Sequence, residues 1–296
     1  FDDITASLTT TASGEFQVNT ETTDYQNYPC ITTLNDGSLV IAWESANQDG
    51  SNYGVYAQMY DADGSRVGNE FQVNSITFSN QWESAITALD GGGFVITWAS
   101  SEDGDGSGVC AQMYDADGNR VGSEFLVNTT TENSQNTPSI TGLNDGGFVI
   151  AWESLYQDGD EYGVYAQMYD ADGSRVGNEF LVNTYTSNHQ LFLSNTGLND
   201  GGFVITWTSG DQDGNGTGIY AQIYDATGDT FFSEFRVNST TGSNQYIPSI
   251  TALDGGGFVI AWTSNNQDGG DIYAQIYFAG NPTTEFYNRD GSEFQV

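Results

Sequence analysis

One short segment is written six times along this chain. "GEFQVN" stands at 14–19, "NEFQVN" at 69–74, "SEFLVN" at 123–128, "NEFLVN" at 178–183 and "SEFRVN" at 233–238, and "SEFQV" occupies 292–296. The phenylalanines Phe16, Phe71, Phe125, Phe180, Phe235 and Phe294 follow one another at steps of 55, 54, 55, 55 and 59. A constant period of this size confines the chain to a propeller, a solenoid or an array, because one such unit cannot bury its apolar face alone.

Each period carries four strand signals. In the third copy they are "SITGL" (139–143), "FVIAW" (148–152), "GVYAQMY" (163–169) and "NEFLVN" (178–183), all rich in β-branched and aromatic residues. "NDGG" between the first two and "DADGSRVG" between the last two are turn signals. Helical spacing is absent, and 37 glycines punctuate the chain. The longest connection follows the EF strand, where a propeller chain crosses from the rim of one blade to the centre of the next. "FVIAW" is the most apolar strand, as befits a strand covered on both faces. The expected fold is therefore all-β, a five-bladed antiparallel β-propeller of four-stranded repeats of about 55 residues. "ITAL" is placed innermost and "EFQVN" at the rim. The expected division is an N-terminal extension at 1–14, the propeller at 15–277 and C-terminal strands at 278–296.

Forty acidic residues oppose five basic ones, all arginine, for a net charge of −35 over 296 residues. Such a surface repels nucleic acid and anionic membranes. No apolar run approaches the roughly 18 residues of a membrane helix, so neither nucleic-acid binding nor membrane insertion is expected. Cys30 and Cys110 replace other residue types at their repeat positions and read as incidental, unpaired thiols.

The combination of "EFQVN", "Q…PSITAL.DGGFVIAW.S" and "QDG…YGVYAQMYDADGSRVG" resembles a repeat of very large secreted bacterial surface proteins, which often carry hemolysin-type calcium-binding or cadherin-like segments elsewhere. The likeness spans roughly 15–277. It implies an extracellular surface or matrix module. The glycine-rich nonapeptide calcium repeats of that class are absent, so calcium is not carried over from that motif.

Three recurring positions are chemical candidates. The "QDG" loops hold Asp49, Asp103, Asp158, Asp213 and Asp268 at one position, and Asp105, Asp160 and Asp271 add a second carboxylate. With glycines freeing backbone carbonyls, these loops are candidate calcium ligands or plain solvated turns. The "DADG" turns pair Asp61 with Asp63, Asp115 with Asp117 and Asp170 with Asp172, and read as turns in which Asp bonds its own backbone. The long connection repeats Gln26, Gln81, Gln135, Gln190 and Gln245, with Tyr28, Trp82, Phe192 and Tyr246 close by. An amide beside an aromatic face suits a sugar. Equally, the glutamine could pin the crossover while the aromatic caps a blade contact. The one-position shift of the aromatic between copies argues for the latter. Arg66, Arg120 and Arg175 share a turn position and read as offsets to local acidic charge.

Catalysis is not expected. There is one histidine, His189, and no lysine, and the residues that break the repeat (His189, Trp82, Arg236) form no recognisable set. The expected function is a non-enzymatic structural or adhesive module. The alternative is a calcium-dependent lectin with repeated sites for a surface polysaccharide. Five blades need five rim strands, yet the EF motif occurs six times. If the N-terminal copy completes the fifth blade, "EFYNRDGSEFQV" at 285–296 is spare and can be donated head to tail to a second copy, giving filaments.

Overall fold

The computed structural model describes residues 14–101, 104–266, 269–279, 287–289 and 294–295. The chain forms five antiparallel sheets in sequence, the blades of a β-propeller. Blade 1 comprises β1 (Gln26–Thr33), β2 (Leu39–Ala46), β3 (Tyr53–Tyr60) and β4 (Arg66–Gln72). Blade 2 comprises β5 (Gln81–Ala88), β6 (Phe94–Ser100), β7 (Gly108–Tyr114) and β8 (Arg120–Leu126). Blade 3 comprises β9 (Gln135–Gly142), β10 (Phe148–Leu155), β11 (Tyr162–Tyr169) and β12 (Arg175–Leu181). Blade 4 comprises β13 (Gln190–Gly197), β14 (Phe203–Gly210), β15 (Thr217–Tyr224) and the short β16 (Phe235–Arg236). Blade 5 comprises β17 (Gln245–Ala252), β18 (Phe258–Asn266), β19 (Gly269–Ala279), β20 (Tyr287–Arg289) and β21 (Phe294–Gln295). No described helix is long and apolar enough to cross a membrane.

The strand order is the expected one. The first strands of successive blades, β1, β5, β9, β13 and β17, pack on one another and line the centre. They approach so closely that a Cβ on Gly142 would lie 2.5 Å from the Ala88 carbonyl, and one on Gly197 2.5 Å from the Gly142 carbonyl. The central "FVIAW" strands are buried on both faces, with Trp98, Trp152, Trp207 and Trp262 and the phenylalanines Phe94, Phe148, Phe203 and Phe258 almost free of solvent. Four apolar clusters fill the boundaries between consecutive blades. Burying each such side chain stabilises the fold by about 1.5–3 kcal/mol.

The recurrence of the EF motif follows from three contacts. Its phenylalanine packs on a tyrosine of the following blade, in the pairs Phe71–Tyr114, Phe125–Tyr169, Phe180–Tyr224 and Phe235–Tyr277. Its valine is buried: Val73, Val127 and Val237 are fully enclosed. Its asparagine accepts from the third strand of its own blade (Val55 N to Asn74 Oδ1, 2.9 Å) and donates to the glutamine of the next (Asn74 Nδ2 to Gln81 Oε1, 3.0 Å). The motif is thus a joint between blades as well as a rim strand. The arginines serve the same joint rather than merely offsetting charge. Arg120 Nη2 donates to the carbonyls of Gln72 and Val73, and Arg175 Nη2 to those of Leu126 and Val127, in the preceding rim strand.

Two expectations about the termini are corrected. The C-terminal copy, not the N-terminal one, completes blade 5: Phe294 pairs with Ala274 and Gln295 with Tyr273. This is the register of Phe71 on Ala57 and Phe125 on Ala111. Residues 287–289 pair with Tyr277–Ala279 of the same strand. The described parts of the tail are therefore engaged within their own blade, which removes the basis for strand donation and filaments. The N-terminal copy flanks blade 1 instead. Phe16 packs on Tyr60 at 5.3 Å, and Arg66 donates to the carbonyls of Gln17 and Val18.

Candidate functional site

The innermost strand of every blade carries a β-bulge just after its glutamine. The bulged residue is left-handed in all five: Tyr28, Glu83, Thr137, Phe192 and Ile247 have φ of 49°, 55°, 52°, 55° and 56°. Non-glycine residues avoid this region, β-branched ones most of all. Such strain persists where the surroundings over-determine it, commonly at binding and catalytic sites. Here the neighbouring blade does so. Glu83 N–H donates to Glu44 Oε1 at 2.6 Å, Thr137 N–H to Glu83 Oε2 at 2.8 Å, Phe192 N–H to Glu153 Oε1 at 2.6 Å and Ile247 N–H to Thr208 Oγ1 at 3.1 Å. Four bulges are thus latched across blade boundaries, and the side chains of Glu83, Phe192 and Ile247 stay exposed.

Glu44 and Glu153 follow the core tryptophan of their blades, where the other blades place Ala99, Thr208 and Thr263. Both are nearly buried. Burial, with a smaller contribution from the Glu83 charge, pushes each carboxyl up to about 7, against the bulge N–H that each accepts. Glu83 is exposed.

The shifting aromatic now has a geometric explanation. The residue two places after the glutamine of one blade meets the residue one place after the glutamine of the next. Tyr28 of blade 1 and Trp82 of blade 2 therefore line a single cavity of about 450 Å³, together with Asn27, Glu44, Tyr53, Asn80 and Glu83. The same rule brings Phe192 and Tyr246 to one cavity between blades 4 and 5. At the two boundaries between these, the rule matches Glu83 with Asn136 and Thr137 with Leu191, with no aromatic pair.

The repeated glutamines lie elsewhere. Gln81, Gln135, Gln190 and Gln245 are buried and pin the crossover, donating to the carbonyls of Phe78, Glu132, Ser187 and Ser243. Gln26 donates to Thr23 O and also lines a smaller cavity with Pro29, Ile41 and Trp43.

The "QDG" carboxylates accept hydrogen bonds from their own loops and from the strands and connections beside them. Asp49 accepts from Ser51 N–H and Gln72 Nε2. Asp158 accepts from Asn183 Nδ2 and its carboxyl is raised by burial, while Asp160 accepts from Asn188 N–H across the boundary. Asp213 accepts from Asn215 N–H. A glycine lies close against each carboxylate, and a Cβ on Gly163 would come within 2.6 Å of Asp158 Oδ2 and displace that carboxylate. Among the described residues no three metal-ligating side chains converge. Asp105 and Asp271 lie among these residues, whereas Asp103 and Asp268 fall outside them. The "DADG" turns behave as read, with Asp61 Oδ1 accepting from Asp63 and Ser65 N–H. Cys30 and Cys110 form no disulfide, and burial pushes the Cys30 thiol up to about 11.

No protein-family profile matches the chain, and no curated protein is similar to it. Among solved structures it is similar to a protein of unknown function from Dyadobacter fermentans, with 11% identity, a TM-score of 0.59 and coverage of 92% of this chain and 83% of that one. It is similar to the polysaccharide lyase Uly1 at 12% identity and a TM-score of 0.52, covering 85% of this chain and 58% of the lyase. An endo-arabinase from Bacteroides thetaiotaomicron overlaps at 13% identity and a TM-score of 0.46, over 90% of this chain and 93% of the enzyme. Identities this low show a shared fold.

The expectation of a non-enzymatic structural or adhesive module is corrected. The polysaccharide lyase Uly1, which shares its fold, is named for carbohydrate chemistry, and the cavity between blades 1 and 2 sets Trp82 beside Glu44 and Glu83. The catalytic exclusion rested on the lack of a repeat-breaking set, and Trp82 does belong to one, with Glu44 and Glu83. Sequence reading missed those carboxylates because nothing in the linear order puts the residue after a core tryptophan beside the bulge of the next blade. The available signal was Glu44 and Glu153 at a position held elsewhere by Ala and Thr. His189 pairs with Glu161 and Arg236 with the Asn238 carbonyl, outside the first cavity.

Proposed function

We propose that the protein is a carbohydrate-active propeller that takes a neutral polysaccharide chain on its bulge face, with one stretch of the chain seated between blades 1 and 2. The observation that carries this reading is the single cavity shared by Tyr28 and Trp82 from adjacent blades with two carboxyls and two amides. Aromatic faces stack on the apolar faces of sugar rings, and Asn27, Asn80 and the glutamates supply directional partners for hydroxyls. The net charge of −35 and the glutamates at the site disfavour uronic acid or sulfated chains. The resemblance to repeats of secreted surface proteins supports a site of action outside the cell. A glycan array should show neutral polysaccharides bound and acidic ones excluded, and Trp82→Ala should lower affinity at least tenfold. Equal binding of acidic chains, or an unaffected Trp82→Ala, overturns the reading.

The glutamates favour a second reading at the same place, cleavage of a glycosidic bond. Glu44, holding its proton near neutrality, would protonate the leaving oxygen, and Glu83 would activate water or attack the sugar. Reducing-end release from the bound polysaccharide tests it. Glu44→Gln should retain binding and lose turnover by a factor of 100 or more. Glu153, latched to the bulge of blade 4, serves as the control.

A further inference from the structure

The cavity between blades 4 and 5 reproduces the first one by a fixed offset. Asn27, Tyr28, Glu44, Tyr53, Asn80 and Trp82 line the first, and Leu191, Phe192, Thr208, Thr217, Asn244 and Tyr246, each 164 positions later, line the second. The framework is retained where it is structural. Ile247 N–H donates to Thr208 Oγ1 as Glu83 N–H donates to Glu44 Oε1. The aromatic pair is retained in kind, with Phe192 for Tyr28 and Tyr246 for Trp82. Tyr246 is fixed on its own blade, where its hydroxyl donates to Asn265 Oδ1 at 2.8 Å. Phe192 is 46% exposed, and so offers a ring face. The charge is not retained: Thr208 and Ile247 replace both carboxyls. The cavity is smaller, about 290 Å³ against about 450 Å³. The histidine of its lining, His189, is paired with Glu161.

We infer that the blade 4–5 cavity is a second carbohydrate site, resting on the reading of the first, which takes a neutral glycosyl unit and binds it without chemistry. The first site requires its ligand beside two carboxyls, whereas the second offers two rings, two hydroxyls and the Asn244 amide. Aromatic stacking with hydroxyl and amide partners selects a neutral sugar face, and the lining holds no carboxyl to move a proton to a glycosidic oxygen, while His189 is held by Glu161. Two such sites on one face allow a single polysaccharide to be held at two points, so that the second grip is intramolecular and apparent affinity for the polymer exceeds that for a short oligomer.

The test uses the full chain, neutral hexasaccharides of arabinan, xylan and β-glucan, and the parent polymers. Calorimetric titration of the bound hexasaccharide should give two equivalents for the wild type, one for Trp82→Ala, one for Tyr246→Ala and none for the double variant. Tyr246→Phe, which keeps the ring, should retain two, and thermal melts should show all variants folded. For the polymer, Tyr246→Ala should weaken apparent affinity at least tenfold without altering turnover at the first site. A wild-type stoichiometry of one that Tyr246→Ala leaves unchanged overturns the second site and spares the first. Wild-type protein that binds none of the probes overturns both.

Discussion

Ile140 of blade 3 and Ile31 of blade 1 hold the same repeat position, yet the first is 8% exposed and the second 62%. On the opposite flank, Ile219 of blade 4 is fully buried and its counterpart Ile272 of blade 5 is 47% exposed. A blade therefore carries two apolar faces, but only an adjoining blade turns either into core. Four boundaries between consecutive blades are filled, and the outer faces of blades 1 and 5 are not filled in the same way. The N-terminal copy of the EF motif reproduces part of a boundary on blade 1. It supplies the phenylalanine on Tyr60, the carbonyls for Arg66 and a Thr20 N–H donated to Glu70 Oε2. These are the rim contacts. The inner contacts need a whole sheet, and Ile31 shows the difference. Stability in such a chain is a sum over repeats and the joints between neighbours.

Breaking a filled boundary should have the largest effect. Trp152→Ala empties the core between blades 2 and 3 and should cost about 3–5 kcal/mol, lowering the melting temperature by about 10 °C. Denaturant titration checks the free energy, and a loss below about 1 kcal/mol would show the boundary to be loosely packed. A matched pair sharpens the contrast. Ile219→Ala should cost about 2–5 kcal/mol, and Ile272→Ala, the same change at the same repeat position, below about 1 kcal/mol. Equal costs would mean that the outer face of blade 5 is covered in solution.

A third prediction concerns pH. The carboxyls of Glu44 and Glu153 are raised in the folded state from 4.5 to about 7. A raised carboxyl makes its full contribution below the unfolded value and loses it as pH climbs through the folded one. Stability should therefore fall between pH about 4.5 and about 7, by about 1–3 kcal/mol for each group. Glu153→Gln keeps an acceptor for the Phe192 N–H and should flatten its share of that fall. An unchanged pH profile in Glu153→Gln would place the titration elsewhere. The smallest effect is expected at the loops. Asp49, Asp158 and Asp213 already accept hydrogen bonds from neighbouring groups, so a chelator at constant ionic strength should move the melting temperature by less than about 2 °C. A larger shift, blunted in Asp158→Asn, would identify calcium in those loops.

The linear sequence determined the period, the four strands of each unit, their order from centre to rim and the turns between them. These depend on local alternation and on residues such as the "DADG" aspartates, whose partners lie within four positions. It also marked the aromatics beside the crossover glutamines. Only the tertiary structure decided what they do, because each pocket is made by two blades and its members lie 50 or so residues apart. Tyr28 and Trp82 look misaligned in a repeat alignment and share one cavity in space. Glu44 is an ordinary strand residue until the bulge of blade 2 lies over it and burial raises its carboxyl. The choice between the N-terminal and C-terminal EF copies for the rim of blade 5 was likewise tertiary: both carry the same apolar pattern, and pairing with Ala274 selects the second.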